Sequence, residues 1–503
     1  MEMASDGKRR RSFPSPYTVL MLVIVLAAVA TWALPAGTYA TLAYDSDRRL
    51  FVHVSPEGEV TLPASQTTLD SLGVAIPIEK FQGGDIRRPI SVPGTYRSVE
   101  AEAQGPLAIL QAPIRGLYDA IDVVLFVLVI GGFIEVFSRS GAFAAGIGAL
   151  ANRLQGREGI LIVVLMTLFA LGGSTFGMGE ECIAFYPLLV PVFLAAGYDR
   201  MVPLAVVFLG AGIGFMVSTV NPFATIIASD AAGITWTVGL GGRIVMLIVA
   251  LAICIAYTLR YARIVQADPS RSLAGPDDRT APAVVTPPSG PVVMTGRVRL
   301  LPFLFAATFV VMIVGVSRLQ WWFTEMTTLF LAAAILVGLI QGGGEKAFTE
   351  AFVRGAQSLL GVALIIGIAR GVTIILNDGQ VSATILDLAA GAVQGMPRVL
   401  FIIALMFVFA GLTLFISSAS GMAVLTMPIM GSLAAVVGVP SEEIVNAYLY
   451  GFGMMSLVTP TGLILPSLAM VNISYAAWLR FMAPLLAILA VVSMIALAAG
   501  VLL

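Results

Sequence analysis

Apolar runs long enough to cross a hydrocarbon core dominate this chain and settle its class before any motif is read. A helical crossing takes roughly 17 to 25 mostly apolar residues, and about thirteen apolar segments can be drawn here, several of them short or broken by Gly and Pro. With 58% hydrophobic and 11% charged residues and a mean hydropathy of +0.96, the composition lies outside that of soluble domains. Lipid offers no partner to backbone N–H and C=O groups, so runs of this length must cross as helices. The expected fold is an all-α integral membrane protein with the lipid bilayer as its surroundings.

Charge orients the runs. Residues 1–16 form a tail in which Lys8, Arg9, Arg10 and Arg11 precede the first span (17–37) and place the N-terminus in the cytoplasm of a plasma (inner) membrane protein. The run Tyr17 to Leu34 is longer than a signal-peptide core, and Trp32 and Pro35 suit a helix leaving the bilayer. Residues 38–117 turn polar and read as a small extracytoplasmic insertion. Within it "RRLFVHV" and "GEVTL" alternate like strands around the turn "SPEG", and "GPLAILQAPIRGLYDA" is amphipathic and expected along the membrane interface.

The first repeat, 118–261, opens with a span from Ile121 to Phe137, after which Arg139, Arg153 and Arg157 mark the cytoplasm. Glu135 is placed to pair with Arg139 at i, i+4. Two apolar arms follow, joined by "GGSTFGMGEE", and Arg200 marks the cytoplasm again, so residues 159–197 are expected to enter and leave on that side as a re-entrant hairpin. Such a tip must face protein or line a cavity. Residues 201–230 form a helix broken at Asn221-Pro222, because proline lacks the N–H and clashes with the preceding turn. A span from Arg243 to Tyr261 leads into a Pro-rich cytoplasmic linker, 262–297. The second repeat, 298–503, has spans near 300–317, 326–341 and 357–376, an outer-side hairpin 399–437 around "ISSASGM", a broken helix 443–469 around "SLVTPTG", and a last span from Leu479 to Val501. The total is about nine transmembrane helices and two re-entrant hairpins.

The halves correspond. Pro187 over Pro428 aligns the returning arms, and Pro222 over Pro460 aligns "STVNP" with "SLVTP", at intervals of 35 and 32 residues. Upstream, Gly141 falls over Gly379, 46 and 49 residues before the paired prolines. One hairpin opens inward and the other outward, so the repeat is inverted. Interrupted segments at corresponding places of inverted halves point to a transporter's midplane binding site.

The stretches "TWALPAGTY", "VPGTY", "FGMGEECIAFYPLLVP", "STVNPFAT", "ARGVTIILNDG", "LTMPIM" and "TPTG", in that order, resemble the YfcC family, related to the anaerobic C4-dicarboxylate carriers of the DcuC type. The resemblance implies a member of the ion transporter superfamily, with paired hairpins, an elevator motion of a transport domain against a scaffold, and a homodimer. Its relatives include dicarboxylate carriers and arginine/ornithine exchangers. The second half departs from the family pattern, carrying Gly421-Met422 where many members have Gly-Gln, and Gly451-Phe452-Gly453 where many have Gly-Asp-Gly.

The candidate site follows from the breaks. Glu180 and Glu181 sit where carboxylates are costly, at the start of the returning half-helix, and suit a cation, a coupling proton or a substrate amine; the competing role is capping of that helix. Gly177 and Gly179 shape the tip. Ser174, Thr175, Ser218, Thr219 and Asn221 in the first half, with Ser417, Ser418, Ser420, Ser456, Thr459 and Thr461 in the second, offer neutral oxygens for sodium or a carboxylate, against the plainer role of bonding freed backbone. Sodium is a candidate coupling ion at Ser174, Thr175, Ser218 and Asn221, and no other metal or cofactor is implied. Arg370, inside an apolar span, faces either a substrate carboxylate or an acid of the bundle.

These features lead to a secondary active transporter of a small carboxylate-bearing metabolite, an amino acid first, driven by sodium, protons or exchange. A C4-dicarboxylate or other organic anion is the alternative substrate, and a channel the alternative class. A near-neutral balance, 28 Lys and Arg against 29 Asp and Glu, points away from nucleic acid. An ATP-driven pump would carry a P-loop, and an intramembrane protease a metal motif or a Ser–His pair; the single histidine, His53, lies in the polar insertion. No enzymatic activity is expected.

Overall fold

The computed structural model describes residues 15–83, 86, 89–140, 157–275, 296–319 and 321–502. The basic tail at Lys8 to Arg11, Gly141, Arg153 and linker residues 276–295 lie outside the described residues. Two helix bundles make up the membrane part. The spine of the first is α14 (Gly344–Asp378), against which α1 (Pro16–Ala33), α4 (Pro106–Asp119), α5 (Ile121–Ser138) and α13 (Phe323–Gln341) pack, with α12 (Gly296–Leu319) beside α13. Small residues let backbones touch in a lipid-facing bundle, where no hydrophobic force drives helices together. At the α5–α14 crossing a Cβ on Gly131 would fall 2.5 Å from the Gly355 carbonyl oxygen, and one on Gly355 2.1 Å from that of Gly131.

The polar insertion between α1 and α4 carries a two-stranded pair, β1 (Gly37–Thr38) with β6 (Arg97–Ser98), and a four-stranded antiparallel sheet of order β4-β3-β2-β5. The expected hairpin is β3 (Leu50–Ser55) and β4 (Gly58–Pro63), with Val52 opposite Thr61. Strands β2 (Thr41–Asp45) and β5 (Ile90–Ser91) and the short helices α2 (Gln66–Ser71) and α3 (Ile78–Gln82) complete it around buried Leu42, Phe51, Leu69, Phe81 and Ile90. Lys80 of α3 reaches buried Asp230 of the membrane part at 2.6 Å.

The amphipathic stretch forms α4, which packs Ala112 and Gly116 along α14 and leaves Leu107, Leu110, Ile114 and Tyr118 uncovered by protein. Glu135 pairs with Arg354 of α14 at 3.7 Å, not with Arg139, whose guanidinium donates to the Ala347 carbonyl instead. The packed neighbour supplies an opposite charge that the helix surface alone did not reveal.

The second bundle holds both interrupted units. In the first, α6 (Glu158–Phe176) ends at a tip, a 3-10 turn (Glu180–Phe185) follows, and α7 (Tyr186–Ala195) returns. The next helix runs as α8 (Met201–Leu204), a π turn (Ala205–Leu209) and α9 (Gly210–Met216), stops over 217–221, and resumes as a π turn (Pro222–Ile226) and α10 (Ile227–Ala231). Then α11 (Leu240–Ala267) crosses. After α14 comes an unanticipated helix, α15 (Ser382–Val393), then the second hairpin, α16 (Arg398–Thr413) and α17 (Ala419–Val437), a second helix broken between α18 (Ser441–Ser456) and α19 (Ile464–Val471), and α20 (Tyr475–Leu502). In each half the first arm of the hairpin packs along the first half of the broken helix, α6 on α9 and α16 on α18.

The bases of the two helix pairs lie against different ends of α11. At the base of the first, Gly159 lies against Leu259, and Asp199 accepts from the Tyr261 hydroxyl at 2.6 Å. At the base of the second, Arg398 Nε donates to the Val437 carbonyl at 3.2 Å, and Glu442 just beyond packs on Gly239. At 1.5 Å per residue the contact points Gly239 and Tyr261 stand about 33 Å apart along α11. Seven helices among the described residues are long and apolar enough to cross a membrane; the shorter ones belong mostly to hairpins and broken helices.

Overpacking the glycine seam is expected to lower stability by about 1–3 kcal/mol. Gly131→Val or Gly355→Val should depress the unfolding temperature in detergent, whereas Gly391→Ala, with no atom within 4 Å of the added carbon, should not.

Candidate functional site

The first tip is shaped by Gly177, which ends α6 at φ +77°, a conformation side chains resist. A Cβ there would also stand 2.7 Å from Asn221 Oδ1, so the broken helix presses directly on the tip. Glu180 and Glu181 lie in the 3-10 turn and not, as expected, in the first turn of the returning α-helix. Glu181 turns back so that Oε2 accepts from the Gly179 N–H at 2.9 Å, and only 6% of the residue is exposed. The second tip is simpler: Ser418 precedes α17 and its Oγ accepts from the Gly421 N–H at 3.2 Å, an N-cap.

Around the first break, freed backbone is claimed by the residues proposed for ligands. The Ser174 carbonyl accepts from the N–H groups of Thr219 (3.1 Å) and Val220 (3.2 Å), and its hydroxyl lies 3.0 Å from that of Thr219. Asn221 Oδ1 accepts from the Phe223 N–H at 2.8 Å, and Ser218 bonds to Thr225 through their hydroxyls. At the second break the Thr459 and Thr461 hydroxyls pair at 2.9 Å, and Trp478 Nε1 donates to the Leu457 carbonyl at 2.8 Å. The broken helices meet where Gly453 packs on Met216.

Both tips face one cavity of about 250 Å3. Gly177, Gly179, Glu180, Glu181, Arg370, Ser417, Ser418, Ser420 and Ser456 all line it. Ser174, Ser218, Thr219, Asn221, Thr459 and Thr461 do not; they bond among themselves or to nearby backbone at the breaks. Thr175 belongs to neither group, because its hydroxyl donates to the Leu171 carbonyl of its own helix at 2.6 Å. Arg370 comes from the first bundle, 3.6 Å from Asp119 Oδ2, and Asp378 pairs with Arg115 at the end of the same helix.

Sequence reasoning missed the aromatic wall. Phe208, Phe215, Phe223, Trp322, Phe323 and Phe452 line the cavity, yet inside apolar runs such residues are indistinguishable from lipid-facing or core positions. Trp322 carries a weak signal, sitting in the polar gap between two spans. Across the bundle boundary Phe223 meets Trp322 edge to face at 4.8 Å.

Over almost its whole length, residues 13–502, the chain matches the sequence profile of the C4-dicarboxylate anaerobic carriers, DcuC. It belongs to that family. This carrier is 41% identical to an uncharacterised protein of Haemophilus influenzae, over 98% of its own length and 97% of the relative's. It is 28% identical to the putative basic amino acid antiporter YfcC of Escherichia coli, over 97% and 96%. Among solved structures it is similar to the YdaH transporter of Alcanivorax borkumensis, at 16% identity, covering 97% of this chain and 98% of that one with a TM-score of 0.42. Its family membership makes it a multi-pass membrane transporter.

Removing the cap at the first break should destabilise it. Asn221→Ala is expected to cost about 0.5–2 kcal/mol, read as a lower unfolding temperature in detergent, with Asn221→Ser, which keeps a neutral capping oxygen, restoring part of the loss.

Proposed function

We propose that this carrier is a secondary active transporter of a small metabolite bearing both an amino group and a carboxylate, an amino acid first. The observation that carries the reading is the convergence of two oppositely directed hairpin tips on one cavity, with two acids on one tip and serines at a helix N-terminus on the other. Glu180 and Glu181 receive the ammonium. Ser417, Ser418, Ser420 and Ser456 receive the carboxylate, helped by the positive end of the α17 dipole. The name of the Escherichia coli relative, a putative basic amino acid antiporter, supports an amino-group substrate.

The second bundle is the moving part and the first the scaffold, an elevator arrangement with nine spans, two re-entrant hairpins, a cytoplasmic N-terminus and a homodimer in the inner membrane. Sodium, if it is the coupling ion, sits among the oxygens of Ser174, Ser218, Thr219 and Asn221; a proton would ride on the acid pair; exchange needs neither. A C4-dicarboxylate is the second reading, favoured by the family description and opposed by two acids in the cavity.

The test is uptake into proteoliposomes after a thermal-shift screen of amino acids, dicarboxylates and short-chain acids with and without sodium. Saturable amino acid uptake accelerated by an opposing gradient is expected, and gradient-insensitive single-channel currents would refute a carrier. Glu180→Gln and Glu181→Gln should each lower uptake about tenfold or more, the effect of losing ~1.4 kcal/mol of interaction; wild-type rate and pH dependence in both would remove the acids from the mechanism.

A further inference from the structure

The cavity is divided between bodies in a way that bears on how the empty carrier behaves. Its acids, Glu180 and Glu181, belong to the second bundle; its guanidinium, Arg370, belongs to the first. The Arg370 side chain makes no hydrogen bond among the described residues. Its ion pair with Asp119 at 3.6 Å is loose and only partly buried by protein, with side-chain exposures of 31% and 57%. A guanidinium has five donors in a fixed fork, so most of this one is uncommitted, and it lines the same cavity as Glu180 and Glu181. Between the bundles ring contacts, Phe223 on Trp322 and Phe185 on Phe309, stand beside one hydrogen bond near Arg370, from the Thr373 hydroxyl to the Phe415 carbonyl at 3.5 Å.

We infer that Arg370 is an electrostatic interlock. It rests on the reading of the second bundle as the moving part. In the empty carrier the scaffold's positive charge holds the doubly acidic tip, and attraction across a cavity with apolar walls is stronger than in water. Sliding away would strip the carboxylates of their counter-charge and carry them bare past an apolar surface, which is costly. A substrate ammonium seated on Glu180 and Glu181 replaces that counter-charge and releases the tip. The loaded carrier moves and the empty one stays, so transport proceeds as exchange. Arg370 is a positioning residue here and not the partner of a substrate carboxylate.

The experiment uses full-length protein in liposomes loaded with radiolabelled L-lysine, with efflux measured into buffer with and without unlabelled lysine. Wild-type efflux should depend on external lysine. In Arg370→Gln the ratio of unpaired efflux to exchange should rise about tenfold, equivalent to 1.4 kcal/mol, while Arg370→Lys keeps the wild-type ratio and Asp119→Asn, which leaves Arg370 wholly to the tip, lowers it. Arg370→Met serves if the glutamine variant does not fold. An unchanged ratio in Arg370→Gln, or Asp119→Asn reproducing its phenotype, would overturn the interlock while leaving the transporter reading intact. Absence of lysine exchange by the wild type would overturn the cationic-substrate reading and the interlock with it.

Discussion

Every backbone N–H and C=O at membrane depth needs a partner inside the protein, and the centre of this carrier is built around four places where a helix stops and that demand must be met. Ser174 answers it with its carbonyl, taking the N–H groups of Thr219 and Val220, and Asn221 answers it by capping Phe223. The same bonds fasten the first hairpin tip to the first broken helix, so that satisfying the backbone and positioning Glu180 and Glu181 are one structural event. At the other end Ser418 caps α17 and Trp478 holds Leu457.

The two bundles differ in what joins them. Within each, close helix contacts at small residues, such as Gly131 on Gly355 and Gly453 on Met216, and buried hydrogen bonds lock neighbours together. Between them Phe223 meets Trp322 ring to ring, and the Thr373 hydroxyl donates to the Phe415 carbonyl. This division makes the cavity a boundary feature, with Glu180 and Glu181 on one side and Arg370, paired with Asp119, on the other. The polar insertion adds a further tie, through Lys80 to Asp230 of the second bundle.

Much of this architecture was legible because its signals are local. Asn221-Pro222 and Thr459-Pro460 announce breaks through the chemistry of proline, and glycine- and serine-rich tips between short apolar arms announce hairpins; the structure places the breaks at 217–221 and after Ser456. Site residues were legible in groups but not individually. Thr175 and Ser174 are neighbours with the same chemistry, yet one turns to its own helix and the other stitches the break. Glu135 found Arg354 where Arg139 was nearer in sequence.

Hydropathy, proline and glycine by themselves determined the membrane class and the two helix interruptions near Pro222 and Pro460, because each depends on residues within a turn or two of one another. Only the tertiary structure decided that the two tips share a cavity, that Phe215, Phe223, Trp322 and Phe452 wall it, and that Arg370 faces it from the other bundle. Those facts depend on how helices hundreds of residues apart are brought together, and an apolar side chain carries no mark of whether its neighbour will be lipid, core or cavity.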